Sequence, residues 1–366
     1  MKREKLTFLD GLKGFAIPFV AIVHSGIGQL PEIGKYTGDI ARMVQMLFMI
    51  SALLTFRSLA RTFPDRSKMT KEGILWWYKK KLLRLLPQYY LALILTMLTR
   101  SWNTFWLGTE GHVTIWNILA HVFLVHGFFP HYIDSMLGVE WYLGVLVIFD
   151  FLSPFLYKYL DSLESSILFL TGVFIVKPFF IIALRHILPV ASDPAVYNNF
   201  IDTFSPYAQF MVFIIGIIMY YMLEKIEQTE FKHPRLLGAA LQVLAFGLIF
   251  CQFIRQSRLL PMTRHDMFAL FFLPMFAGMY LRPLKFIDNP YFRLWGKYSY
   301  TIFLYNYIVM NFYERTVQFE APFVVKWLVE SIVVNIILLL LAMFLERYFD
   351  KPISEKLGPK LLGAKP

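Results

Sequence analysis

The chain of 366 residues has a single cysteine, Cys251, so a framework of internal disulfide bonds is excluded. Charge is also scarce: Asp, Glu, Lys and Arg make up 17% of the residues, whereas soluble domains have roughly 25%. The short alternating strands that a transmembrane β-barrel requires are absent. No polar stretch is long enough to form a second domain, so we expect residues 1–366 to form one membrane-embedded domain.

Apolar and aromatic residues are abundant instead. The hydrophobic fraction is 57%, the aromatic fraction is 18% and the mean hydropathy is +0.53. Apolar runs long enough to cross a hydrocarbon core of about 30 Å recur along the chain, which predicts an all-α polytopic membrane protein. The candidate segments are 8–28, 40–57, 82–100, 114–130, 139–158, 166–187, 201–223, 236–254, 266–282, 299–315 and 322–346.

Not every apolar segment is predicted to cross the membrane. The N-terminus and the tail from residue 346 are both basic, and basic segments favour the cytoplasm, so the number of crossings should be even. We expect about ten transmembrane helices, with segment 114–130 re-entrant or interfacial and both termini cytoplasmic. Protein or a water-filled cavity must then cover that segment. This topology leaves Arg255, Arg258 and Arg264 outside, against the positive-inside tendency.

The formal charge of +11 has a topological explanation. Much of the excess lies in residues 1–5, in 57–81 and in the tail from Arg347, where cytoplasmic segments are expected to be basic. We therefore predict no nucleic-acid partner, although a basic cytoplasmic face would attract an anionic cosubstrate. Residues 1–5 and the apolar run after them resemble a signal peptide, but no small-residue cleavage site follows. We expect an uncleaved first span.

The first span carries three ionisable residues. Asp10, Lys13 and His24 fall on one stripe of an α-helix, because the eleven residues from Lys13 to His24 complete about three turns. His24 then lies about 16 Å from Lys13 along the axis, and Pro18 is expected to kink the helix between them. Ionisable groups inside membranes usually line a pathway or a site. We expect a functional role for His24, whereas an interfacial ion pair explains Asp10 and Lys13 equally well.

Half of the eight histidines lie in or beside segment 114–130. A metal cluster is conceivable there, but the spacing matches no strong ligand signature, so we predict no metal site. We expect these side chains to line an outward-facing cavity or to lie at the membrane interface. They are His112, His121, His126 and His131.

The opening LDGLKG at 9–14, with Ala16, Ile17 and His24 after it, resembles the start of acyltransferase family 3. Members of that family are integral-membrane acyltransferases that modify bacterial glycans. They usually have arginine at the position of Lys13. Lysine keeps the charge but lacks the planar group that grips a carboxylate or phosphate at two points.

Five further stretches resemble motifs of this family and follow in its order, so that the resemblance covers nearly the whole chain. FMISALLTF at 48–56 is similar to FFxxSGFLL, KKKLLRLLPQYYL at 79–91 to RRxxRLxPxYY, and WYLGVLVIFDFLSP at 141–154 to WSLxxExxFYxxxP. WGKYSYTIFLYN at 295–306 is similar to GxxSYxxYLxH, and LERYFDKPI at 345–353 to the closing ExP stretch.

Besides Lys13, the chain departs from the family motifs at four positions, of which Ala52 stands where glycine is expected. Leu146 replaces the usual glutamate, Asp150 the usual tyrosine and Asn306 the usual histidine. These changes imply a divergent acceptor pocket, in which Glu140 or Asp150 would supply a replacement carboxylate. The residues expected in the substrate pocket are Trp141, Glu140, Asp150, His126 and Asn306.

The resemblance implies an O-acetyltransferase of the bacterial plasma membrane. It would move an acetyl or other short acyl group from cytoplasmic acetyl-CoA to a hydroxyl of a cell-surface glycan or its lipid-linked precursor, without a permanently bound cofactor. Lys13, Lys81 and Arg84 are expected to bind the donor phosphates, and His24 and Asp10 are expected to be catalytic. His24 would act as a general base or form an acetyl-histidine intermediate, and the sequence does not separate these two roles.

A membrane transporter or flippase for a polar or glycan substrate is the alternative. It would also explain ionisable residues inside the membrane, which are Asp10, Lys13, His24, Asp150 and Lys177. Transporters often contain inverted repeats with paired, broken helices, and no such duplication is visible in this chain. We therefore favour the acyltransferase.

Overall fold

The computed structural model describes residues 6–30, 32–99, 113–255, 257–260 and 262–363, and within these ranges it contains helices and no strands. The long helices are α1 (Thr7–His24), α3 (Met43–Thr62), α4 (Lys71–Thr99), α6 (Trp141–Tyr159), α7 (Leu163–Ile187), α9 (Pro206–Gln228), α10 (Pro234–Arg255), α11 (Arg264–Leu281), α13 (Ser299–Thr316) and α14 (Phe323–Leu345). The short helices are α2 (Thr37–Ile40), α5 (Ile115–Val122), α8 (Pro194–Asn199), α12 (Pro290–Lys297), α15 (Lys351–Lys356) and α16 (Gly358–Leu362). Residues 1–5 and His112 lie outside the described part of the chain.

The predicted all-α polytopic membrane fold is confirmed. The long helices coincide with the predicted spans other than 114–130. Eight helical stretches of the described residues are long and apolar enough to cross a membrane, and they contain α1, α3, α4, α6, α7, α9, α10 and α14. Helices α11 and α13 are not among the eight. Helix α11 begins with the polar run Arg264–His265–Asp266, and α13 carries Asn306, but both helices bury most of their residues inside the bundle.

The helical part of segment 114–130 is too short to cross the membrane. Helix α5 has eight residues, which is about 12 Å, whereas the hydrocarbon core is about 30 Å thick. His121 and His126 are buried, while Trp116 and Phe123 are exposed. The segment is therefore covered by protein on one side, as polar backbone at membrane depth requires.

Helix α9 forms the centre of the bundle. Its residues Val212 to Ile215 are completely buried, and it packs against α3, α7 and α11. A helix that is apolar on every side belongs in such an interior. Helix α7 lies at the periphery instead, where Leu168 and Phe179 are exposed at 74% and 70%. Exposed apolar faces of this kind suit contact with lipid tails.

Short helix α12 lies directly against the first half of α1, and two glycines permit the contact. A Cβ atom at Gly14 would stand 1.7 Å from the carbonyl oxygen of Phe292, and one at Gly296 would stand 1.8 Å from the carbonyl oxygen of Asp10. Lys297, at the end of α12, donates a hydrogen bond of 2.8 Å to Glu346, and this bond raises the pKa of Lys297. Helix α12 thus holds α1 in position beside the C-terminal end of α14.

Substitution of Gly296 by alanine should separate α12 from α1. Because the new Cβ would meet backbone rather than a movable side chain, we expect a loss of about 1–3 kcal/mol or more in stability. Gly247→Ala is the matched control, since nothing lies within 4 Å of a Cβ there and alanine favours a helix. Thermal unfolding of the two purified variants in detergent measures the difference. Equal melting temperatures would contradict the close contact.

Candidate active site

A cavity lined by several basic residues opens between α1, α3, α4, α6 and α13, and we call it the basic cavity. Its volume is about 250 Å³, and its lining includes Lys13, Lys81, Arg84, Asp150, Tyr142 and Phe303. The charged residues come from α1, α4 and α6, each of which packs against α3, so the bundle brings together side chains far apart in sequence. Lys13, Lys81 and Arg84, which the sequence predicts to bind the donor, all lie here.

The cations of the basic cavity differ in their partners. Lys13 forms an ion pair of 2.7 Å with Asp10. The Lys81 ammonium group contacts the Asp150 carboxylate and the Thr55 hydroxyl. Arg84 is exposed to the cavity and makes no hydrogen bond or ion pair with any described residue. An unpaired guanidinium group in a cavity is suited to bind an anion such as phosphate.

A second cavity surrounds His24 at the other end of α1, and we call it the histidine cavity. Its volume is also about 250 Å³. The imidazole of His24 stacks on the ring of Tyr307 with 4.6 Å between ring centroids. Its Nδ1 atom is buried and has no hydrogen-bond partner among the described residues. Trp141, predicted in the substrate pocket, lines this cavity too.

Polar residues that the sequence analysis does not identify also line the histidine cavity. They are Arg42, Gln45, Asp134 and His265. Both ring nitrogens of His265 and the side-chain oxygen of Gln45 are buried without a hydrogen-bond partner in the described part of the chain. Buried polar groups are nearly always satisfied in native proteins. Several unsatisfied groups around one cavity therefore indicate a site for a polar ligand.

Phe303 separates the two cavities, because its side chain lines both of them. Its ring lies 5.0 Å from the ring of Tyr142, which lines the basic cavity. Tyr142 in turn hydrogen-bonds Ser51 at 3.0 Å. Phe303 is the only described residue that lines both cavities. The two cavities therefore meet at this side chain.

Asp10 and His24 are not brought together. They occupy opposite ends of α1, fourteen residues apart in sequence, which is about 21 Å along a helix. The Asp10 carboxylate instead binds Lys13. Asp10 therefore positions Lys13 and does not touch the imidazole.

Other residues predicted in the substrate pocket lie elsewhere. The Glu140 carboxylate accepts hydrogen bonds from the backbone N–H groups of Met136 at 2.5 Å and Val139 at 3.1 Å, and it contacts the His121 ring at 3.3 Å. The rings of His121 and His126 stack with centroids 4.4 Å apart. This buried cluster fixes the turn before α6, and it lines neither cavity.

Asp150 and Asn306 complete the predicted set. Asp150 lies in the basic cavity, where its carboxylate neutralises the Lys81 ammonium group. Asn306 is 1% exposed and its Oδ1 atom has no hydrogen-bond partner among the described residues. It lines neither cavity, although it adjoins Tyr307 on α13. In the described ranges, no group of three or more His, Cys, Asp or Glu side chains is arranged to hold a metal ion.

Comparison with known proteins identifies the family of the chain. The family model for the acyltransferase domain of acyltransferase family 3 matches residues 6–347. No curated protein and no solved structure matches the chain. Because the family match covers nearly the whole chain and the bundle contains helices able to span a bilayer, the protein belongs to acyltransferase family 3 and is a multi-pass membrane acyltransferase.

Proposed function

We propose that the protein transfers an acetyl group, or another short acyl group, from cytoplasmic acyl-CoA to a hydroxyl of a cell-surface glycan or its lipid-linked precursor. The observation that carries the proposal is the pair of cavities on either side of Phe303. One holds an unpaired cation and the other holds an imidazole. A donor and an acceptor that enter from opposite sides of a membrane need such an arrangement.

The basic cavity is the proposed donor site. CoA carries several phosphates, and the guanidinium group of Arg84 can bind them through charge-assisted hydrogen bonds. Lys13 adds a second positive charge at the same cavity. The long, thin pantetheine arm would follow α1 toward Phe303, so that the thioester reaches the edge of the histidine cavity. This assignment places the end of the bundle that carries Lys13 and α12, together with both termini, in the cytoplasm of a bacterial plasma membrane.

His24 is the proposed general base. It removes the proton of the acceptor hydroxyl while that oxygen attacks the thioester carbonyl. The carbon–sulfur bond then breaks, and the proton passes from His24 to the departing CoA thiolate. The stacked ring of Tyr307 holds the imidazole in place. A direct transfer of this kind needs both substrates together, whereas an acetyl-histidine intermediate would form with the donor alone.

A transporter or flippase has less support. The family match is to acyltransferases, and the buried charges Asp150 and Lys177 have partners in Lys81 and Asp266. They therefore need no transported substrate. Transfer of labelled acetyl from acetyl-CoA to a glycan by the purified protein distinguishes the two functions.

Substitution of His24 by alanine should lower acyl transfer by about 10²–10⁴-fold, because the general base is lost. His186→Ala is the matched control, since that histidine is exposed on α7 and lines neither cavity. The measurement is transfer of labelled acetyl to membrane glycans at equal protein levels. Undiminished transfer by the His24 variant would refute its role.

Substitution of Arg84 by alanine should weaken acetyl-CoA binding by about tenfold to a hundredfold, the value of one or two charge-assisted hydrogen bonds. Lys79→Ala is the control, because Lys79 is exposed and lies outside the basic cavity. Titration of acetyl-CoA against both purified variants measures the dissociation constants. Equal affinities would show that the donor phosphates bind elsewhere.

A further inference from the structure

The outer end of the bundle is rich in arginine, although it faces away from the cytoplasm in the proposed orientation. Arg42 lines the histidine cavity, and Arg258 lies close enough for its charge to act on His265. Arg264 opens α11 beside them. Positive residues normally collect on the cytoplasmic side. Their presence around the histidine cavity therefore calls for a local reason.

Carboxylates lie near several cations at this end of the bundle, and one of them, Asp134, lines the histidine cavity itself. Lys177 is neutralised by Asp266 at 2.6 Å, and Arg264 lies 3.4 Å from Asp39. The Asp39 carboxylate also attracts Arg42. One carboxylate thus serves two guanidinium groups.

Arg42 has an incomplete set of partners. Its Nε atom donates a hydrogen bond of 2.9 Å to the carbonyl oxygen of Gly38, which fixes the plane of the guanidinium group. Its two terminal nitrogens have no hydrogen-bond partner among the described residues. A half-buried guanidinium group without a full shell of partners is costly, and its planar pair of nitrogens matches a carboxylate or phosphate.

Three further groups in the same cavity are ready to bind a polar ligand. His265 has two buried, unpartnered ring nitrogens, and Gln45 and His24 each have one unpartnered atom. A neutral imidazole offers one donor and one acceptor, and the Gln45 oxygen is an acceptor. Hydroxyl groups of a sugar would satisfy these atoms.

We infer that the acceptor is an acidic glycan, whose carboxylate or phosphate binds Arg42 while a nearby hydroxyl faces His24. The inference rests on the proposed function and specifies its substrate class. Arg258 and Arg264 would attract the acceptor to the cavity from outside. The anionic group comes either from an acidic sugar or from a phosphate of the glycan or its lipid carrier.

The first test identifies the product. Glycans from cells with and without the protein are compared by mass spectrometry, and the acylated species is fragmented. We expect the acylated sugar or its immediate neighbour to carry a carboxylate or a phosphate. Acylation of a wholly neutral glycan would overturn this inference and leave the proposed function intact. The absence of any acylated glycan would overturn the proposed function, and this inference with it.

The second test uses the deacylated product as acceptor in membranes with labelled acetyl-CoA. Arg42→Gln should raise the KM for the acceptor about tenfold to a hundredfold and leave the KM for acetyl-CoA unchanged, because only an acceptor contact is lost. Arg42→Lys should restore part of the affinity, since the charge remains. Arg255→Gln is the control, because Arg255 is exposed and does not line the cavity.

Chemical treatment of the acceptor distinguishes the two sources of charge and does not depend on any variant. Reduction of carboxylates to alcohols removes one source, and dephosphorylation removes the other. One of the two treatments should raise the KM of the unsubstituted protein for the acceptor. The raised KM should match the KM of Arg42→Gln for the untreated acceptor. If both treated acceptors react as well as the untreated one, or if Arg42→Gln leaves the acceptor KM unchanged at normal membrane levels, the inference is wrong.

Discussion

The close backbone contact between α1 and α12 is the constraint on which the rest of the molecule depends. Helix α1 carries Lys13 near one end and His24 at the other, on the same stripe. Gly14 and Gly296 allow α12 to lie directly against it, so the stripe cannot rotate away from the bundle. Rotation of α1 by half a turn would move both residues toward the lipid. The contact therefore fixes the positions of Lys13 in the basic cavity and His24 in the histidine cavity together.

The paired and unpaired charges of the bundle have different roles. Lys81 with Asp150, and Lys177 with Asp266, link helices through partners inside the protein. Such pairs avoid an isolated charge in a medium of low dielectric constant. Arg84 and the terminal nitrogens of Arg42 lack a full set of partners and lie in cavities. A substrate can supply the missing partners of these two side chains. Arg84 lies in the basic cavity and Arg42 in the histidine cavity, and Phe303 lines both.

Much of the fold follows from the sequence, because the length of an apolar run is a local property. The stripe of Lys13 and His24 follows from helical periodicity in the same way. The partners of Glu140, His126 and Asp150 could not be predicted, since they depend on how loops and helices meet in three dimensions. Glu140 turns back to its own preceding loop, and Asp150 meets a lysine of α4. Arg42 and His265 are more than two hundred residues apart, and no motif marks either of them.

The central claim is that the acyl donor reaches His24 through the basic cavity and past Phe303. A cryo-electron microscopy structure with a non-hydrolysable thioether analogue of acetyl-CoA tests it most directly. We expect the phosphates beside Arg84 and the acyl group beyond Phe303, with its carbonyl carbon close enough to His24 for an acceptor oxygen to bridge them at about 3–3.5 Å. Donor density outside the basic cavity, or an acyl group remote from His24, would contradict the account.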